Sequence, residues 1–167
     1  MNRTLSAAFA VAALSMSAFS TSASAGAADT FLAGLDGNWR GGGTLESNAG
    51  KATKVRCSLR NALAGSTLNL AGRCASSAGT RPVRGEFAGS GANVTAKSLK
   101  LPGAGSMRGI TSKLSGNSLV LQGSVRDKGK TVPVRNTLTR NGNRLTLQVS
   151  AKGSSGWSNR GTITFTR

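Results

Sequence analysis

Four two-residue turn signals divide this chain at nearly equal intervals: Gly65-Ser66, Ser90-Gly91, Gly116-Asn117 and Asn141-Gly142, spaced 25, 26 and 25 residues apart. Gly and Asn tolerate the positive φ that tight hairpin turns demand. Around the turns, apolar and polar residues alternate, as in Ser118-Leu119-Val120-Leu121-Gln122 and Arg144-Leu145-Thr146-Leu147-Gln148. A period of two marks a strand with one buried face. Together the two patterns predict a meander of antiparallel hairpins.

Reading each signal as a two-residue loop sets the strand register. Gly65-Ser66 places Cys57 opposite Cys74 and Leu59 opposite Gly72, although the cysteines played no part in placing the turn. Ser90-Gly91 sets Phe87 against Val94 and Gly85 against Ala96. Gly116-Asn117 sets Leu114 against Leu119 and Ile110 against Gly123. Asn141-Gly142 sets Leu138 against Leu145, Val134 against Val149 and Val132 against Ala151. Apolar residues meet apolar residues or Gly throughout. Cys57 and Cys74 on adjacent strands are expected to form a cystine, stabilising the chain by roughly 3 kcal/mol through loop closure. Two thiols with no His make a poor metal site, and none is expected.

Longer connections are expected at 47–51, 76–80, 102–106, 127–130 and 153–158, giving ten strands from 38–46 to 159–167. Tight turns would then gather at one end and looser loops at the other. Ten up-and-down strands curl, and closure removes the exposed edges. The expectation is an all-β, antiparallel up-and-down β-barrel or clam of about ten strands with one disulfide. A short segment, 29–35, has Phe31, Leu32 and Leu35 spaced for one helical turn ahead of the first strand. Inward-phased Gly43, Gly72, Gly85, Gly109 and Gly123, with Ala96 and Ala151, either let a narrow barrel close or leave room for a ligand.

One strand face carries Trp39, Leu59, Leu70, Phe87, Leu121, Leu147 and Phe165; the other carries Arg40, Lys54, Arg56, Arg60, Arg73, Arg84, Lys97, Arg108, Arg126, Arg135 and Arg144. In water the apolar face is the core, whereas in an outer membrane it would face lipid. The chain has no Tyr and too few aromatic residues for two interfacial girdles, so the water-exposed arrangement is expected.

The N-terminus reads as an address. Arg3, an apolar Ser-diluted run over 5–19, and Ala23-Ser24-Ala25 match a cleaved secretory signal peptide, residues 1–25. A short segment, 26–36, and a single barrel domain, 37–167, would remain in a periplasmic or extracellular compartment, where a cystine persists. The whole chain has 22 Lys and Arg against 5 Asp and Glu; without Arg3 the count is 21 against 5, a net +16. Such a surface attracts anions, so an anionic envelope polymer or lipid head group is the expected partner. The same charge would also serve solubility and guard strand edges. Nucleic acid is not expected, because exposed aromatics for base stacking are lacking. Trp157 with Arg160 would offer a loop contact, although Trp157 is expected to fold over the open end as a plug.

Chemistry is constrained by what is missing. No His exists for a triad, a general base or a metal. The carboxylates Asp29, Asp36, Glu46, Glu86 and Asp127 do not pair at any spacing that suggests a shared cleft. Arg40-Gly41-Gly42-Gly43-Thr44 lacks the Gly-Lys-Ser/Thr ending of a phosphate loop. No enzyme activity and no cofactor are expected.

Gly37-Asn38-Trp39 at the head of the first strand resembles the opening motif of lipocalins and, more loosely, of calycin barrels. The resemblance implies a barrel end closed by Trp39 and covered by an Arg from the last strand, Arg167 or Arg160. It also implies a protein that holds a small apolar ligand or acts through surface contacts. Ten strands are similar to the fatty-acid-binding and nitrobindin-like barrels, but without His the haem ligand of the latter cannot exist here. The expected function is an exported, monomeric, non-enzymatic binding protein. The alternatives are a secreted hydrolase inhibitor acting through its loops and a structural envelope protein.

Overall fold

The computed structural model describes residues 26–46, 50–101 and 105–167. The expected leader, 1–25, lies outside them, as do parts of the 47–51 and 102–106 connections. A helix, α1 (Ala27–Ala33), precedes eleven strands: β1 (Gly37–Glu46), β2 (Ala52–Ala64), β3 (Thr67–Ser76), β4 (Gly79–Ser90), β5 (Asn93–Leu101), β6 (Gly105–Ser106), β7 (Arg108–Ser115), β8 (Ser118–Asp127), β9 (Lys130–Asn141), β10 (Arg144–Gly153) and β11 (Gly156–Thr166). All neighbours are antiparallel, in the order β6-β5-β4-β3-β2-β1-β11-β10-β9-β8-β7. This is an up-and-down meander whose first and last long strands, β1 and β11, pair to roll the sheet.

The Gly65-Ser66 and Gly116-Asn117 hairpins have the expected register: Cys57 faces Cys74, Leu59 faces Gly72, and Leu114 faces Leu119. The other two turns lie one residue later than expected, at Gly91-Ala92 and Gly142-Asn143. Phe87 therefore faces Ala96, Leu138 faces Leu147 and Val134 faces Ala151. The reason is turn chemistry. Gly65, Gly91, Gly116 and Gly142 have φ of 57, 58, 53 and 57°, and each is the first residue of its loop, while the second residue has no positive φ. That is the type II′ pattern, with Gly leading, whereas Ser90-Gly91 and Asn141-Gly142 would need Ser or Asn there. Moving a turn by one residue changes the pairing by two, so every side chain stays on its face.

Three bulges alter the ladders, one of them leaving Arg160 as the extra residue on β11 between the Val149–Gly161 and Ser150–Asn159 pairs. Phe87 faces Ala96 and Glu86 faces Ser98, leaving Lys97 as the extra residue on β5. Gly109 and Ile110 together oppose Gly123, so the expected Ile110–Gly123 pair does not form. Gly109, at φ 58°, serves this bulge rather than the interior. The eleventh strand, β6, lies within the expected 102–106 connection and pairs with β5, while the strand expected before Gly116 is β7, separated from β6 at Met107 and paired with β8. Between β5 and β7 there is no regular ladder. The seam is bridged by the Met107 N–H to the Leu99 carbonyl and the Ser112 hydroxyl to the Val94 carbonyl. The barrel is nearly closed.

The expected contrast between its two ends is not found at three of the five connections. Residues 77–78, 128–129 and 154–155 are themselves two-residue turns. Lys128 and Gly129, with φ of 47 and 81°, supply the paired positive φ of a type I′ loop.

The apolar face lines the interior. Trp39, Leu68, Phe87, Leu119, Leu121, Leu145 and Ile163 are fully buried there, and the Cys57–Cys74 disulfide lies among them. Several inward glycines have the space of their missing side chain filled by neighbours: a Cβ on Gly41 or Gly43 would overlap the Thr164 or Thr162 carbonyl, and one on Gly85 would meet the Phe87 ring. The small residues let the barrel close. The space left at its centre is about 30 Å³, on the order of one or two water molecules.

Helix α1 lies across the end formed by the four Gly-led turns, with its Ala28 N–H bonded to the Gly91 carbonyl at 3.0 Å. It begins two residues before the expected helical turn, and Phe31, Leu32 and Leu35 are buried as that reading required. The Leu35 carbonyl accepts bonds from Trp39 Nε1 and Asn61 Nδ2, both at 2.8 Å. These bonds tie α1 to the first two strands.

Candidate anion-binding groove

Outward-facing residues of β1, β2 and β3 alternate long and short in both directions of the sheet. In one row Arg40 faces Ser58, which faces Arg73; in the next, Gly42 faces Arg56, which faces Ala75. Each arginine thus has a small residue beside it. Adjacent strands lie about 4.8 Å apart, so Arg40 and Arg73 are about 10 Å apart across the sheet. The short residues sink the surface between the long ones. The result is an open groove of about 460 Å³, floored by Gly41, Gly42, Ser58 and Ala75, edged by Arg40, Arg56 and Arg73, and reaching Thr80.

The three arginines are exposed, and none has a carboxylate within ion-pair distance among the described residues. The acidic side chains are placed elsewhere. Asp29 accepts from the Gly26 N–H and Asp36 from the Leu63 N–H at the α1 end. Glu86 pairs with Lys97 at 3.2 Å, and Glu46 pairs with Arg160 at 3.4 Å. Asp127 ends β8, across the barrel from the groove. Uncompensated guanidinium groups over a low floor suit an oxyanion, which each planar fork can bind bidentately.

Positive charge continues from the groove. Lys54 and Arg60 extend the outer face of β2, and Arg60 leads through Ala71 to Arg84 and then Lys100. On the other side of β1 the wall has few charges: Thr162, Thr164 and Thr166 on β11 face Gln148, Thr146 and Arg144 on β10. Of the remaining basic residues expected on the wall, Lys97 is held by Glu86, Arg108 and Arg126 are exposed away from the groove, and the exposed Arg144 continues the Arg40 row on its other side, through Thr166. Arg135 is half-buried on β9, 4.3 Å from the centre of the Trp157 ring.

Trp157 is neither in a loop nor a plug. It lies in β11, faces Lys152 across the ladder and is 38% exposed on the outer wall. Arg160, expected beside it as a loop contact, is the extra residue of the β11 bulge opposite Val149 and Ser150 and pairs instead with Glu46 of β1. At the other end of the barrel, Arg167 stacks 4.6 Å over the fully buried Trp39 and donates to the Gly34 and Asp36 carbonyls at 2.7 and 3.0 Å. One arginine therefore clamps the α1 connection to the ring beneath it.

Sequence reading named Arg40, Arg56 and Arg73 singly but not as a group. Their convergence depends on which strands are neighbours and on the short residues between them. It also missed the Arg135–Trp157 stack, whose members are 22 positions apart on strands that do not pair directly. No protein-family model and no curated protein matches the chain. Among solved structures it is similar to the crystal structure of Rv2717c from M. tuberculosis, at 13% identity and a TM-score of 0.57, covering 84% of this chain and 96% of that one. At that identity the likeness is one of fold: an all-β, nearly closed barrel.

Proposed function

We propose that this is an exported, non-enzymatic, calycin-like barrel that binds an anionic component of the cell envelope through the Arg40–Arg56–Arg73 groove. The observation that carries the reading is the set of three exposed arginines with no ion-paired carboxylate among the described residues, arranged over a floor of small residues. The ligand chemistry is a phosphate, sulfate or carboxylate group presented by a lipid head group or an acidic polymer. An apolar ligand in the interior is less well supported, since about 30 Å³ is far below the several hundred a small-molecule pocket needs. The inhibitor alternative, which rests on loops around Trp157 and 102–106, loses the first of them, because that connection is the two-residue turn 154–155. The cystine supports an oxidising compartment, in keeping with the leader-like N-terminus. The Trp39–Arg167 stack supports the calycin-like assignment.

Binding to phosphatidylglycerol vesicles and to a soluble sulfated polymer, compared side by side, separates the two ligand sources. Replacing Arg56→Gln and Arg73→Gln together should weaken binding at least about tenfold, since bonds to charged groups contribute about 1.5–3 kcal/mol each. The pair Arg108→Gln and Arg126→Gln removes equal charge outside the groove and should cost less than about threefold. Equal losses in both pairs would leave only diffuse charge attraction. Affinity unchanged between about 50 and about 500 mM salt would rule out the electrostatic reading altogether.

A further inference from the structure

Across the outer wall from the groove, Trp157 is the large apolar side chain left exposed among the described residues. The Arg135 guanidinium lies over one face of its ring, a cation–π contact that still leaves the residue 38% exposed. Arg135 Nε is buried without a hydrogen-bond partner. Neither Arg135 nor Lys152, which faces Trp157 in the ladder, has a carboxylate at ion-pair distance among the described residues. The adjoining outward positions are polar and uncharged: Ser150 faces both Arg135 and Asn159, and Gln122 faces Arg135 from β8.

These surroundings discriminate between partners. A protein interface needs an apolar core of several side chains around its anchor, and Trp157 has no exposed large apolar neighbour among the described residues. Single-stranded nucleic acid needs successive stacking platforms, and only one is present. A sugar ring needs one flat aromatic surface for its C–H face, with amide, hydroxyl and ammonium groups around it for its hydroxyls. An acid group on that sugar would find Lys152 and Arg135 without competing carboxylates.

We propose that Trp157, Arg135 and Lys152 form a second site, independent of the arginine groove, that binds an acidic saccharide by stacking one sugar ring on the indole and pairing its acid group with the two cations. Of the two tryptophans, Trp39 is fully buried, so a fluorescence response to an added saccharide reports on Trp157. Titration with an oligogalacturonate should shift or quench that emission saturably, and maltohexaose, of neutral glucose units, should not. The response should survive in the Arg56→Gln, Arg73→Gln groove variant and weaken about tenfold in Arg135→Gln. In Trp157→Ala, calorimetry should detect no saccharide binding, while the blue-shifted Trp39 emission shows that the barrel is intact. No saturable response in the wild type would overturn the proposal, as would equal binding of maltohexaose. Loss of binding only in the groove variant would overturn it too, while leaving the groove reading in place. A stronger response to oligothymidylate would reassign the site to nucleic acid.

Discussion

At Gly43 the absence of a single carbon decides how the barrel shuts. A Cβ there would overlap the Thr162 carbonyl, and one on Gly41 the Thr164 carbonyl, so β1 approaches β11 only because both positions are Gly. Neither residue has a positive φ, so the requirement is steric rather than conformational. Gly43→Ala should therefore destabilise the fold by about 2–3 kcal/mol, as overpacking against backbone does. A urea midpoint within error of wild type would show that β1 and β11 are less tightly apposed than described. Arg167 works at the same scale. Its stacking on Trp39 and its two bonds to carbonyls replace the solvent that would otherwise reach the ring.

Between residues and barrel stand the hairpins, whose turns choose the register. Gly142 leads its loop at φ 57° with nothing near its missing Cβ, so Gly142→Ala introduces conformational strain alone, about 1 kcal/mol. Asn141 is the last residue of β9, so Asn141→Ala should stay within about 0.5 kcal/mol. The reverse order in thermal or urea melts would restore an Asn-Gly turn. The β5 bulge leaves a phase change in the sequence that the hairpin arithmetic passed over: Val94 and Ala96 alternate, then Leu99 and Leu101 resume one residue late. Lys97 and Ser98 are the consecutive polar residues that absorb the slip. Met107 gave no comparable signal, because its split from β7 depends on two different partners, β5 and β8.

For the molecule as a whole, the decisive quantity is the filled interior. Fourteen side chains surround the barrel centre, and about 30 Å³ is left between them. Native mass spectrometry of the protein purified from its host should return the mass of the polypeptide alone. A retained organic molecule would mean that the seam between β5 and β7 opens and the core rearranges. With the centre closed, recognition falls to the outer wall, where β1 to β3 set Arg40, Arg56 and Arg73 over small residues, and β9 to β11 set Trp157 against Arg135 and Lys152.

The alternation of side chains and the spacing of turns were enough to derive an antiparallel meander, its two faces and the Cys57–Cys74 bond, because those depend on local periodicity and on hairpins that pair neighbours in the chain. Even the two misplaced turns kept the faces correct, since a pairing shift of two preserves alternation. The closing of the seam, the filling of the centre and the identity of the groove were decided only in three dimensions. Arg40, Arg56 and Arg73 meet because the sheet sets three strands side by side and supplies Ser58, Gly42 and Ala75 between them. Trp157 and Arg135 meet across an intervening strand, β10. Contacts of that kind follow from strand curvature and side-chain length, which no periodicity along the chain encodes.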